Sequence, residues 1–118
     1  MEFTDYLFEV MWKDELIASV SITENRKIIE VKKYSDDIAK QPFWGGKIDL
    51  NRIYQFIEFR CFEEARPDKK ELLKKLGLTE YNPWEIVRKT HGRLFDDFLW
   101  LRFPEENITW KDVSNGRI

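Results

Sequence analysis

Residues Asp49–Phe62 read DLNRIYQFIEFRCF, and this stretch decides the fold. Asp49 is a favourable N-cap, and it is followed at helical spacing by one set of apolar side chains: Leu50, Ile53, Tyr54, Ile57 and Cys61. A second, offset set consists of Phe56, Phe59 and Phe62. Because a helix that is apolar on most of its circumference is normally covered on more than one side, we predict a central, buried helix here.

The residues before this helix alternate between apolar and polar side chains with a period of two. Residues 5–34 predict three antiparallel strands joined by turns at 13–15 and 24–26. The inward-facing side chains are predicted to be Phe8, Val10 and Trp12, then Leu16, Ala18, Val20 and Ile22, then Ile29 and Val31. A sheet of this size needs a helix across its apolar face, and we expect the central helix to supply it.

Two short helices are predicted after the central helix. Asp68 and Glu71 have the spacing of a capping box and predict a helix over residues 69–76. Asn82 followed by Pro83 is typical of the start of another helix, which we expect to end near Gly92.

The remaining residues predict one late strand. Residues 94–103 are extended in character up to Pro104, and Thr109 with Asp112 indicates a final turn or helix. The predicted fold class is therefore α+β: an N-terminal three-stranded antiparallel meander packed on a central helix, with two short capped helices and one late strand.

Composition predicts a single globular domain over residues 1–118. Charged residues make up 36% of the chain and hydrophobic residues 42%, which is typical of a globular rather than a disordered protein. The first residues, MEFTD, are acidic where a signal peptide is positively charged. No apolar run approaches the roughly 20 residues that span a bilayer. We therefore expect a cytoplasmic protein without a membrane segment.

The side chains that carry chemistry are too scattered in the sequence to predict an active site. The one cysteine, Cys61, belongs to an apolar set, and the one histidine, His91, lies near the predicted end of a helix. A metal site needs several such ligands, and nucleophilic catalysis needs a base beside a serine or cysteine. The acidic pairs fall in polar turns and predict solvated surface: Asp36-Asp37, Glu63-Glu64, Asp96-Asp97 and Glu105-Glu106. We expect no enzyme activity, cofactor, metal or small-molecule substrate.

Phe43 and Trp44 are the candidate residues for contact with a partner. They lie in a polar segment whose Gly45-Gly46 end indicates a loop. In one alternative, both rings tuck under the sheet and anchor the loop, as apolar side chains usually do. In the other, they project on a flexible base as an aromatic finger, the kind of residue that dominates the binding energy at interfaces.

The order of short motifs from Leu50 onward is informative. After the central helix come CFEEARP at 61–67, the helix at 69–77, YNP at 81–83, KTHG at 89–92, DDFLWL at 96–101 and ITWKDV at 108–113. Together with MWKDEL at 11–16, this order resembles small proteins encoded beside HipA-type kinases in Firmicutes. Those proteins look like the N-terminal subdomain of HipA, or like the separate small S subunit of split Hip toxin–antitoxin systems.

The resemblance implies a non-catalytic regulatory module that binds a HipA-like Ser/Thr kinase as an antitoxin or accessory subunit. It carries over no ATP-binding, catalytic-loop or metal-binding residue. The alternative is a nucleic-acid-binding accessory protein that uses the basic region from Lys69 to Arg93. Acidic residues are interleaved there, and the net charge of −2 makes a strong gain from counterion release unexpected.

Overall fold

The computed structural model describes residues 6–23, 28–45, 48–94, 97–104 and 106–114. Its strands and helices are, in chain order, β1 (Tyr6–Trp12), β2 (Glu15–Thr23), β3 (Ile28–Lys33), α1 (Leu50–Phe59), α2 (Lys69–Leu76), α3 (Pro83–Thr90), β4 (Leu99–Arg102) and α4 (Trp110–Val113). The strands form one antiparallel sheet in the order β3-β2-β1-β4. The predicted α+β class with an N-terminal meander is confirmed. The turn predicted at 24–26 lies outside the described residues.

The first hairpin departs from the predicted alternation at a β-bulge. Val10 pairs with Ala18 but Met11 pairs with Leu16, so Ile17 is an extra residue on β2. Ile17 and Ala18 are both fully buried as a result. The prediction that Leu16 continues the inward row is wrong, because the bulge turns it to the opposite side, where it packs beside Met11.

The late strand is shorter than the predicted 94–103 and pairs with β1. The described part of the segment before it does not pair with β1. It is held instead at the end of α1, where the Arg60 side chain binds the carbonyl of Gly92 and the carboxylate of Asp97. Neighbouring side chains on a strand point to opposite faces, and both Trp100 and Leu101 are fully buried. β4 is therefore covered on both faces.

Two apolar clusters cover those faces. The main core lies between the sheet and the helices α1, α2 and α3, and its members include Phe8, Val10, Val20, Ile22, Ile53, Ile57, Leu73, Leu76, Ile86, Val87 and Leu101. A smaller cluster on the other face consists of Met11, Trp100 and Val113, with Trp110 packed against it. α4 thus covers part of the face that the main core leaves open.

Helix α1 is capped as predicted but less buried than predicted. The Asp49 carboxylate accepts a hydrogen bond from the backbone N–H of Arg52 at 2.9 Å. Ile53, Phe56 and Ile57 are buried, as an inward stripe requires. Phe59, however, is 69% exposed. The second apolar set is therefore left uncovered at this position.

The caps of the two short helices differ. The side chain of Asn82 accepts the N–H of Glu85 at 3.2 Å, and Pro83 is the first residue of α3, as predicted. Asp68 makes no side-chain cap of α2, which corrects the predicted capping box. Its two oxygens instead accept a bidentate pair of hydrogen bonds from Arg66, both at 2.9 Å. Charge-assisted bonds of this kind are stronger than a bond to a neutral N–H.

Candidate functional site

The segment between β3 and α1 separates the two candidate contact residues. Phe43 is fully buried, and its ring meets that of Phe56 edge-on with centroids 5.1 Å apart. Trp44 is 54% exposed. Phe43 is therefore the anchor of the segment and is not available as a contact residue. Only Trp44 remains a candidate for contact with a partner.

A buried glutamine holds the backbone that precedes Trp44. The Gln41 amide donates to the carbonyls of Ile17 at 3.2 Å and Ser35 at 2.8 Å, and its oxygen accepts the N–H of Phe43 at 3.2 Å. The Phe43 carbonyl accepts a further bond from the Lys33 ammonium at 3.1 Å. The sequence carries no signal for this role, because a glutamine in a polar segment is normally exposed.

Helix α1 holds the backbone on the other side of Trp44. The Arg52 guanidinium donates to the carbonyls of Trp44 and Gly45, both at 2.6 Å. Gly45 has a φ of 66°, a left-handed conformation that glycine adopts without steric strain. The flexible base expected for an aromatic finger is therefore wrong for the described part of the segment, where hydrogen bonds fix the backbone. Gly46 lies outside the described residues.

Another exposed apolar side chain, that of Phe59, lies on the side of α1 that contacts this segment. Phe59 is on α1 one turn beyond Phe56, the residue that Phe43 contacts, and seven residues beyond Arg52. Positions 52, 56 and 59 share one side of a helix. We call Trp44 and Phe59 the Trp44 surface. The segment between β3 and α1, which carries Trp44, also exposes Tyr34 and Ile38.

Arg60 is the polar residue that sequence reasoning missed. It is 1% exposed, and its guanidinium donates to both oxygens of Asp97 at 2.8 Å and to the carbonyls of Gly92 and Leu99 at 2.9 Å. Burial would raise the pKa of Asp97, but the hydrogen bonds and charge of Arg60 outweigh it and leave the pKa below its ordinary value. An arginine at the end of an amphipathic helix gives no sequence signal of burial.

His91 and the acids Asp97 and Glu106 also make structural contacts. His91 Nε2 lies 2.8 Å from one oxygen of Glu106, whose other oxygen accepts the N–H of Phe103 at 2.9 Å. Asp97 and Glu106 are half-buried and paired, so the prediction of solvated surface is wrong for them. Their neighbours Asp96 and Glu105 lie outside the described residues. Within the described ranges, no group of three or more His, Cys, Asp or Glu side chains could hold a metal ion.

Cys61 is buried, as its place in an apolar set predicts. Burial raises the pKa of its thiol to about 12, the charge of Glu58 adds to this, and Arg60 opposes it. Its sulfur donates to the carbonyl of Ile57 at 3.3 Å. A thiol held in this way is protonated near neutral pH and has no nucleophilic character.

A groove of about 580 Å³ lies on the open face of the sheet. Two serines of β2, Ser19 and Ser21, form its floor, and Glu9 and Arg102 lie at one wall. The Arg102 guanidinium and the Glu9 carboxylate are 2.7 Å apart and neutralise each other. At this wall the groove therefore presents a paired charge rather than a free one.

Comparison with known proteins finds no match: no family model, no curated protein and no solved structure is significantly similar to this chain. No helix in the described ranges is long and apolar enough to cross a membrane. Function is therefore inferred from the chain's own surface and, for the identity of a partner, from the motifs quoted above.

Proposed function

We propose that this protein is a non-catalytic interaction module that binds a protein partner through the Trp44 surface. The observation that supports the proposal is an exposed tryptophan on a fixed backbone: Phe43 anchors it on one side, and Arg52 holds its carbonyl. Tryptophan is enriched among the residues that dominate binding energy. A backbone already ordered before binding loses less conformational entropy in the complex.

The proposed partner is a HipA-like Ser/Thr kinase, with this chain as an antitoxin or accessory subunit. The support for this identity is the resemblance of residues 50–113 and 11–16 to proteins encoded beside such kinases. The proposal needs no cofactor, metal or small-molecule substrate. It assigns the protein to the cytoplasm, as the acidic first residues predict.

Nucleic-acid binding through the Lys69–Arg93 region stays a prediction. Lys70, Lys74 and Lys75 are exposed on α2. At the other end of the region two arginines face aromatic rings, with Arg88 4.6 Å from the Phe103 centroid and Arg93 4.6 Å from that of Trp110. The basic side chains are thus divided between exposed lysines on α2 and two arginines that contact rings of the protein itself.

The test is a titration of the protein against the kinase encoded beside it, after co-purification of the pair. Trp44→Ala is expected to weaken binding by about 2 kcal/mol or more, roughly thirtyfold, because a central aromatic contact is lost. Phe59→Ala extends the test to the other residue of the surface. Leu7→Ala is the matched control, since Leu7 is an exposed apolar residue that lines the groove on the opposite face of the sheet.

Equal binding by Trp44→Ala and Leu7→Ala would reject the Trp44 surface even if a complex forms. Absence of any complex with the kinase would reject the partner. Binding to RNA or DNA that falls steeply between low and physiological salt would favour the alternative, because release of counterions is the signature of phosphate contacts.

A further inference from the structure

An aromatic crevice opens on the other side of helix α1. It has a volume of about 290 Å³ and is lined by Tyr6, Tyr54, Ile57, Glu58, Asn82, Pro83 and Trp84. Tyr54 lies two residues from Arg52, about 200° around the helix, so the crevice and the Trp44 surface face opposite ways. The crevice is therefore a second surface, and the inference from it does not depend on the first.

Three aromatic rings form the walls of the crevice. Tyr6 and Trp84 are stacked with centroids 4.4 Å apart at 22°, and Tyr54 meets Tyr6 at 61° and 5.8 Å. Trp84 is held from behind by an edge-on contact with Phe103 at 5.5 Å. Among the described residues, neither the Tyr54 hydroxyl nor the Trp84 indole N–H has a hydrogen-bond partner. The walls thus combine aromatic side chains that hold each other in place with a hydroxyl and an indole N–H that the described residues leave unpaired.

One acidic side chain lies at the crevice. Glu58 lines it, and Glu63 and Glu64 follow shortly after the end of α1, all three exposed. Glu58 therefore brings one carboxylate to the crevice itself. A cationic side chain of a ligand would find a complementary charge there.

We propose that the aromatic crevice binds a proline-rich segment of a partner protein that carries an arginine or lysine beside its prolines. Extended proline-rich segments are already ordered, and they dock in grooves lined by aromatic side chains. Prolyl carbonyls accept hydrogen bonds, which matches the donors of Tyr54 and Trp84. A methylated ammonium group is disfavoured because it needs ring faces on several sides of an open centre, whereas Tyr6 and Trp84 stack on each other with one face each and enclose no such centre.

The probe is a labelled synthetic peptide with the pattern Pro-x-x-Pro and one flanking arginine, titrated against the full chain by fluorescence anisotropy. Glu58→Lys is expected to weaken its binding about tenfold, the effect of losing one charge-assisted contact, and to improve binding of a peptide with a flanking glutamate. Glu30→Lys makes the same charge change on an exposed residue of β3 and is the matched control. Tyr54→Phe, which removes only a hydroxyl, is expected to weaken binding roughly fivefold while the fold is retained.

Three results would overturn the proposal. The first is no saturable binding by the wild-type chain, or equal binding of a peptide whose prolines are replaced by alanine. The second is an equal effect of Glu58→Lys and Glu30→Lys, which would reduce the contact to non-specific charge. The third is binding of a trimethyl-lysine peptide in preference to the proline-rich probe, which would assign the crevice to a methylated cation.

Discussion

Arg60 shows how one side chain joins distant parts of this chain. It follows the last residue of α1 and binds Gly92, Asp97 and Leu99, which connect α3 to β4. A buried guanidinium loses its hydration, so its charge is tolerated only when a carboxylate and carbonyls replace the water. Four hydrogen bonds provide that replacement, one of them at Leu99, the first residue of β4.

The first prediction at this scale concerns Asp97 and pH. The pKa of Asp97 is lowered in the folded protein, so its contribution to stability is complete above the unfolded pKa of ~3.9 and is lost as pH falls through the folded value. Asp97→Asn is expected to destabilise the protein by roughly 1–3 kcal/mol at pH 7, because Arg60 loses a charged partner. The difference from wild type should shrink below about pH 4.

Urea unfolding of wild type and Asp97→Asn at pH 7 and at acidic pH measures this difference. Asp36→Asn is the control, because Asp36 is exposed. A difference between wild type and Asp97→Asn that stays constant across the whole pH range would contradict the assignment.

The second residue-scale prediction separates Phe43 from Trp44. Phe43→Ala is expected to lower the free energy of unfolding by roughly 3–5 kcal/mol, as for other buried phenylalanines. Trp44→Ala should change it by about 0.5 kcal/mol or less, because the side chain is half exposed and only its backbone is held. Thermal and urea unfolding of the two variants measure the two changes. An equal loss of stability in both variants would show that Trp44 is packed as firmly as Phe43, which would contradict the structure.

At the scale of elements, short helices here depend on single hydrogen bonds at their ends. α2 and α3 have eight residues each, a length at which an isolated helix is marginal. The side chain of Asn82 satisfies an otherwise unpaired N–H at the start of α3, whereas that of Asp68 is occupied by Arg66. The two N-caps therefore contribute differently although their sequences look alike.

This difference is testable by alanine substitution. Asn82→Ala is expected to destabilise the protein by about 1 kcal/mol, since a helix N–H loses its partner. Asp68→Ala should have a smaller effect, because only an exposed ion pair is removed. The urea midpoints of both variants measure this difference. If Asp68→Ala lost as much stability as Asn82→Ala or more, the side chain of Asp68 would have to cap α2 after all.

At the scale of the whole molecule, the sheet is a shared wall between two apolar clusters. Helices α1 to α3 cover one face, and α4 covers the end of the other face at β1 and β4. One side of α1 is buried in the main core, and the two sides next to it reach the surface. The Trp44 surface lies on one flank and the aromatic crevice on the other. A partner bound at the Trp44 surface would therefore leave the aromatic crevice open, and a partner bound in the crevice would leave the Trp44 surface open.

The sequence by itself determined the elements and the α+β class of this protein. The caps at Asp49 and Asn82, the period-two alternation of the strands and the helical spacing of Ile53 and Ile57 are local patterns. Such patterns depend on neighbours within about four residues, so they can be evaluated without knowledge of the fold. The burial of Cys61 follows from the same local pattern.

Only the tertiary structure decided which of two similar residues is covered. Phe43 and Trp44 are adjacent in the chain, yet Phe43 meets Phe56 on α1 and Trp44 meets solvent. Phe59 is exposed and Arg60 is buried, although their residue types predict the reverse. Burial depends on the elements that the rest of the chain brings to a position, and those contacts join residues that are tens of positions apart.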